Sequence, residues 1–198
     1  MVHNPARRTA LLDAAIEVLA RDGARGLTFR AVDAQAAVPT GTASNYFANR
    51  DDLIHQVSRQ IHQRTAPDPT EVRERMKAPR SRELVTELMA WVNRRVTRER
   101  TSYLALLELR LEATRRPELR ASLTQTIRET LEADVRFHLE SGLPGDRTAV
   151  MLLYLAMTGL LLERLTLPDV VPADQVDGLI AELVNRTIVQ AVAEVDPG

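Results

Sequence analysis

Apolar residues recur every three or four positions along almost the whole of this 198-residue chain, and no segment sustains the alternation of a strand. The pattern is clear near both ends. Leu12, Ala15, Ile16 and Leu19 form one stripe, and Val176, Leu179, Ile180, Leu183, Val184, Ile188 and Val192 form another. Each stripe has to be covered by another helix, so the fold class is all-α, with about nine helices.

Local signals place the boundaries. Asn4 followed by Pro5 opens a first helix that runs to about Asp22 and stops at Gly23. Thr28 caps a second helix that ends near Ala36 or Ala37, with Leu27 placed to staple onto Val32. A short third helix is predicted over 40–47. Asn49 caps a fourth, and Asp52 stands at the acidic position of a capping box. Pro67-Asp68-Pro69 interrupts that helix, and the polar stretch to Pro79 reads as a short helix or a linker. Five helices follow, at about 83–98, 101–115, 117–141, 146–165 and, from Pro172 or Asp174, to Glu194.

Charge and composition narrow the class. The net charge is -1, but residues 1–65 carry eight Arg against six Asp and Glu, and the remainder carries 18 basic against 21 acidic residues. A slightly basic head on a slightly acidic body follows. With no cysteine, disulfides and thiolate metal sites are excluded. Asp13, Glu17 and Arg21 interrupt the first apolar stripe where a signal peptide needs continuity, so a cytoplasmic location is expected. The longest apolar run, 149–162, is shorter than the roughly 18 residues of a membrane span, and no membrane association is expected.

The most informative stretch is 27–53. Two helices of under ten residues, joined by a tight turn, cannot cover their own apolar faces. They need the first and fourth helices as a platform, which leaves one face of the third free to enter a major groove. That face is short and polar: Thr40, Thr42, Ser44 and Asn45, with Gly41 removing bulk near a phosphate. Arg30 on the second helix, and Arg7 and Arg8 on the first, are further candidates for phosphate contact. Tyr46 either packs only, or packs with its hydroxyl turned to phosphate. Val32, Val38, Phe47 and Leu53 are core.

Residues 28–53 resemble the tetracycline-repressor (TetR) family of transcriptional regulators through Thr28, Val32, Ala36-Ala37-Val38-Pro39, Gly41, Tyr46-Phe47, Arg50 and Leu53. The resemblance implies that the third helix reads the major groove and that Arg50 grips phosphate. Ala37 replaces the usual turn glycine and must accept that glycine's dihedrals. Pro39 replaces a serine cap, and Ser44 replaces a tyrosine that touches the DNA backbone. The domains expected are a helix-turn-helix head over 1–50, the start of a connecting helix over 51–65, and an effector-binding and dimerisation body over 66–198.

The last two helices carry more apolar surface than one layer covers, notably Met151, Leu155, Gly159, Leu162, Leu179, Leu183 and Thr187. The resemblance implies a four-helix bundle with the same helices of a second copy. Trp91, Tyr103, Leu107, Arg110, Phe137, His138 and Tyr154 are the mixed aromatic and polar groups expected to line an effector pocket, and an inward Arg110 would favour an anionic or carbonyl ligand.

The expected function is therefore a homodimeric repressor released from double-stranded operator DNA by a small molecule, repression resting on the family's habit. Enzymatic motifs are missing: there is no His-Glu-x-x-His, no phosphate-cradling glycine loop and no nucleophile elbow. His55 and His62 share a helix face without a carboxylate at ligand spacing, so no metal or cofactor is expected. The rival reading is an all-helical interaction protein without DNA affinity.

Overall fold

Nine α-helices and two 3-10 turns make up residues 4–188, which the computed structural model describes. No strand occurs among the described residues. The helices are α1 (Pro5–Gly26), α2 (Phe29–Gln35), α3 (Arg50–Thr65), α4 (Pro69–Arg75), α5 (Arg82–Arg98), α6 (Arg100–Ala113), α7 (Pro117–Glu140), α8 (Arg147–Thr166) and α9 (Val176–Thr187). The continuation of the last helix to Glu194, Val192 included, lies outside the described residues.

Caps read from the sequence hold the early helices. Asn4 Oδ1 accepts from the Ala6 and Arg7 amides at 3.0 and 3.3 Å, and Thr28 Oγ1 accepts from Ala31 at 3.1 Å. Leu27 and Val32 are both fully buried in one core, as a staple requires. Asn49 Oδ1 accepts from the Asp52 amide at 2.9 Å, while the Asp52 carboxylate reaches back to Ala48 N–H at 2.9 Å, one residue before the cap. Gly23, at φ 69° and ψ 179°, bends α1 instead of ending it, and one more turn follows to Gly26.

The chain divides into two compact units. The first comprises Met1–Ala66 together with Arg98–Ile127, and the second comprises Pro67–Thr97 and Arg128–Gly198. In the first, Leu11, Ile16, Leu19, Phe47, Leu53 and Ile61 close a single core with Ala105 and Leu109 of α6 and Leu119 and Leu123 of α7. The platform beneath the short helices thus includes α6, which packs along α1 and α3. Sequence reasoning had only α1 and the connecting helix for that task. Local patterns carry no information about a partner 80 residues away.

In the second unit, Leu84, Val85, Leu88 and Trp91 of α5 pack with Leu143, with Ala149 and Leu153 of α8, and with Val184 and Ile188. A smaller cluster joins Met157 of α8 to Val176 and Ile180 of α9. Helix α4 fills part of the stretch between Pro67 and Pro79, and none of its residues is fully buried. Helix α8 is 20 residues long with a mean hydropathy of 1.5 in its most apolar window, so length and composition alone would let it cross a bilayer. Only 28% of that window is buried.

Candidate nucleic-acid interface

The segment between α2 and α3 is not a short α-helix. It is a chain of turns that tightens into one 3-10 turn, Ala43–Asn45. Amides of Thr42, Asn45 and Tyr46 each bond the carbonyl three residues back, at 3.1, 3.0 and 2.9 Å. The predicted helix over 40–47 is corrected accordingly. Pro39 supplies no side-chain cap, and a single i→i−4 bond, Phe47 N–H to Ala43 O at 3.0 Å, accompanies these i→i−3 bonds.

What holds this turn is a residue that sequence reasoning missed. Asp33 of α2 is 1% exposed. Its Oδ1 accepts from Ala43 N–H and its Oδ2 from Gly41 N–H, both at 2.7 Å. Those are short, charge-assisted bonds in a dry site, where each is worth more than its counterpart in water. The carboxylate replaces the missing cap from outside the segment. The available signal was an acidic residue on the inward face of α2, five positions after the Thr28 cap.

Two backbone dihedrals shape the turn. Ala37 sits at φ 53°, the one non-glycine residue with positive φ among those described, so it does take on the glycine conformation. That left-handed geometry costs a Cβ-bearing residue about 1–2 kcal/mol. Gly41 sits at φ 92°, which explains a glycine there although a Cβ would meet no heavy atom within 4 Å.

Thr40, Ser44 and Asn45 are exposed, as is Arg30 on α2; Gly41, Thr42 and Tyr46 are half-buried, the Tyr46 ring resting on the core. The hydroxyls are not idle. Thr42 Oγ1 donates to Pro39 O at 2.5 Å and Ser44 Oγ to Gly41 O at 2.8 Å. With each proton committed to the backbone, these oxygens keep only acceptor capacity in this arrangement.

Arg50 is turned inward. Its Nε donates to Leu27 O at 3.2 Å, one terminal nitrogen donates to Ala24 O, and the other lies 3.8 Å from Glu112 of α6. Glu112 also accepts from Arg116 Nε at 2.6 Å, and Arg116 returns to Asp51 at the start of α3. The resemblance implies a phosphate grip for Arg50. In this structure it ties the end of α1 and the entry of α2 to α6. Arg8 is likewise engaged, with Nε 2.9 Å from Gln56 Oε1, while Arg7 is exposed. Gln56 donates in turn to Asp52 at 2.8 Å. That bond, set against partial desolvation, holds the Asp52 carboxyl below its ordinary 3.8.

The residues expected to line an effector pocket are divided between the units. Tyr103, Leu107 and Arg110 belong to the first unit, and Trp91, Phe137, His138 and Tyr154 to the second. Arg110 and Phe137 are exposed, Tyr103, Leu107 and Tyr154 are half-buried, and Trp91 and His138 are buried. An exposed Arg110 removes the reason for favouring an anionic ligand. His138 Nε2 lies 2.9 Å from Pro144 O, a contact that closes the corner between α7 and α8.

On α8 and α9, Leu155, Gly159, Leu162 and Leu179 are exposed, and Met151, Leu183 and Thr187 are half-buried. Among the described residues, no group of three or more His, Asp or Glu is arranged to hold a metal ion.

Comparison with known proteins places the architecture. Residues 11–57 match the family model for bacterial regulatory proteins of the tetR family, and residues 80–187 match that for a tetracyclin repressor-like C-terminal domain. The chain belongs to the TetR family. A solved family member from Streptomyces coelicolor A3 is 30% identical, with a TM-score of 0.69 over 93% of this chain and 99% of that one. The multidrug binding protein EbrR, solved with ethidium, is 29% identical, with a TM-score of 0.68 over 94% of this chain and 100% of that one. A TetR-like regulator from Rhodococcus sp. RHA1, at 16% identity and a TM-score of 0.66 over 96% of this chain and all of that one, shares the fold. No curated protein matches. These family models describe transcriptional regulators and not enzymes.

Proposed function

We propose that this TetR-family protein is a homodimeric, sequence-specific DNA-binding repressor of the cytoplasm, held at the nucleoid through operator DNA and released by a small-molecule effector. The observation that carries the reading is the polar turn 40–45. Its backbone is fixed from below by the buried Asp33 carboxylate, while Thr40, Ser44 and Asn45 face outward. A turn held in this way can approach base edges without unfolding its own support, and Asn45 carries the donor and acceptor pair that matches adenine. Arg7 and Arg30 are exposed cations for phosphate. Arg50 steadies the first unit by tying the end of α1 and the entry of α2 to α6.

One turn makes too few contacts for specificity, so two copies are needed. Leu152, Leu155, Leu162 and Leu179 are 52%, 60%, 43% and 48% exposed, an apolar surface that suits a second copy of α8 and α9. The same surface accounts for the apolar character of α8 without a bilayer. Responsiveness to a small molecule is supported by kinship with EbrR, whose solved complexes include ethidium, proflavin and malachite green.

Selection of bound duplexes from a random pool, followed by gel shift, tests the reading. Asn45→Ala should weaken binding to the selected site about tenfold and leave nonspecific binding nearly unchanged. A chain that ignores duplex DNA even at low salt overturns it.

A further inference from the structure

Trp91, the one tryptophan of the chain, is buried in the second unit with two guanidinium groups over its rings. Arg75 Cζ lies 4.3 Å and Arg95 Cζ 4.8 Å from the centroid. The indole N–H donates to Glu71 Oε2 at 3.0 Å, and that carboxylate lies 3.7 Å from the Arg75 guanidinium. An aromatic face with a carboxylate at its rim is the chemistry of a cation site. Here a side chain of the protein occupies it.

The occupant is poorly secured. Arg75 is the last residue of α4, a seven-residue helix without a fully buried residue. Its remaining hydrogen bond goes to Glu71 O at 3.0 Å, within the same helix, and its Nε is buried without a partner. A buried, unpaired donor costs free energy that any arrangement releasing it recovers. Beside Arg75 lies an open groove of about 430 Å³, bordered by Glu74, Glu83, Glu87 and Leu84. Lys77 and Arg94 pair with Glu74 and Glu87 in exposed positions, where such pairs hold weakly.

We propose that the Trp91 face now covered by Arg75 is a binding site for a planar, delocalised organic cation, and that Arg75 is its displaceable stand-in. A polycyclic cation covers more of the indole than a guanidinium does and keeps the charge that Glu71 requires. Arg75, released, rotates into the acid-lined groove that it already borders. This rests on the effector-responsive reading above and names the ligand class.

Ethidium titrated into the full-length protein provides the test, with its own fluorescence reporting affinity and Trp91 emission reporting location. Binding should quench Trp91. Arg75→Ala should tighten ethidium roughly fivefold, since it removes the competitor, whereas Trp91→Leu and Glu71→Gln should each weaken it about tenfold. Arg75→Gln and Trp91→Phe serve if the harsher variants lose helical circular dichroism; the first should still tighten binding and the second should weaken it less. An uncharged polycycle of similar width should bind more weakly than ethidium. Unchanged or weaker binding in both Arg75 variants overturns the proposal. So does ethidium affinity indifferent to Trp91, and if DNA is nonetheless released, the effector-responsive reading survives with its site elsewhere. Binding that obeys the Trp91, Glu71 and Arg75 pattern without releasing DNA supports the site and counts against the regulatory reading.

Discussion

The polar turn of the first unit and the leucine face of the second solve opposite problems. Around the turn, backbone donors that would otherwise be orphaned are met from within the chain, by a carboxylate that is itself fully enclosed. On α8 and α9, leucines 43–60% exposed remain uncovered among the described residues. The first arrangement is complete in one copy, whereas the second is the surface that the proposed dimer would cover. The contrast separates what a substitution should do: changes near Asp33 act on folding and reading together, and changes on α8 act on assembly.

The largest expected effect comes from Asp33→Ala. The buried Ala43 amide and the half-buried Gly41 amide lose their acceptor, at a cost of about 2–4 kcal/mol, and site-specific DNA binding should disappear. Denaturant titration and gel shift measure the two losses, and a stable variant that still reads its site would break the contrast. Next is Leu155→Asp, which puts a charge on the apolar face. Sedimentation velocity should show monomers at micromolar concentration, with thermal stability of the first unit little changed. A monomeric wild type would remove the need for a partner altogether.

Ala37→Gly should act in the opposite direction. Relief of the left-handed alanine is expected to stabilise the protein by about 1 kcal/mol, visible as a raised midpoint in denaturant. The smallest effect concerns pH. Because Asp52 titrates below its ordinary 3.8 in the fold, its contribution is complete above that value and is lost as pH falls through the lowered one. Asp52→Asn should flatten this acid limb of a stability–pH profile.

The features legible in sequence are those that local chemistry determines. Asn4, Thr28 and Asn49 cap helices because their side chains reach amides two or three residues away. Ala37 adopts positive φ because the tight turn demands it of whatever residue stands there. The stripes of α1 and α9 likewise announce buried faces, through Leu12, Ala15, Ile16 and Leu19 in one and Val176, Ile180 and Val184 in the other. Three features escaped for one shared reason, namely partners distant in sequence. The turn at 43–45 is shaped by Asp33, ten residues before Ala43. Arg50 is captured by carbonyls more than twenty residues back and by Glu112 on α6. Trp91 is covered from α4 by Arg75, which periodicity presents as an ordinary surface charge, in addition to its own i+4 neighbour Arg95.

The reliance of the first unit on α6 bears on how such regulators can be recombined. Glu108 of α6 approaches the bend of α1, its carboxylate 3.4 Å from Ala24 N, and Glu112 steadies Arg50. A graft cut at the end of α3 would carry the proposed DNA-binding head without either glutamate. A working hybrid should therefore import 98–127 along with 1–66, or keep acidic side chains at both positions of the recipient.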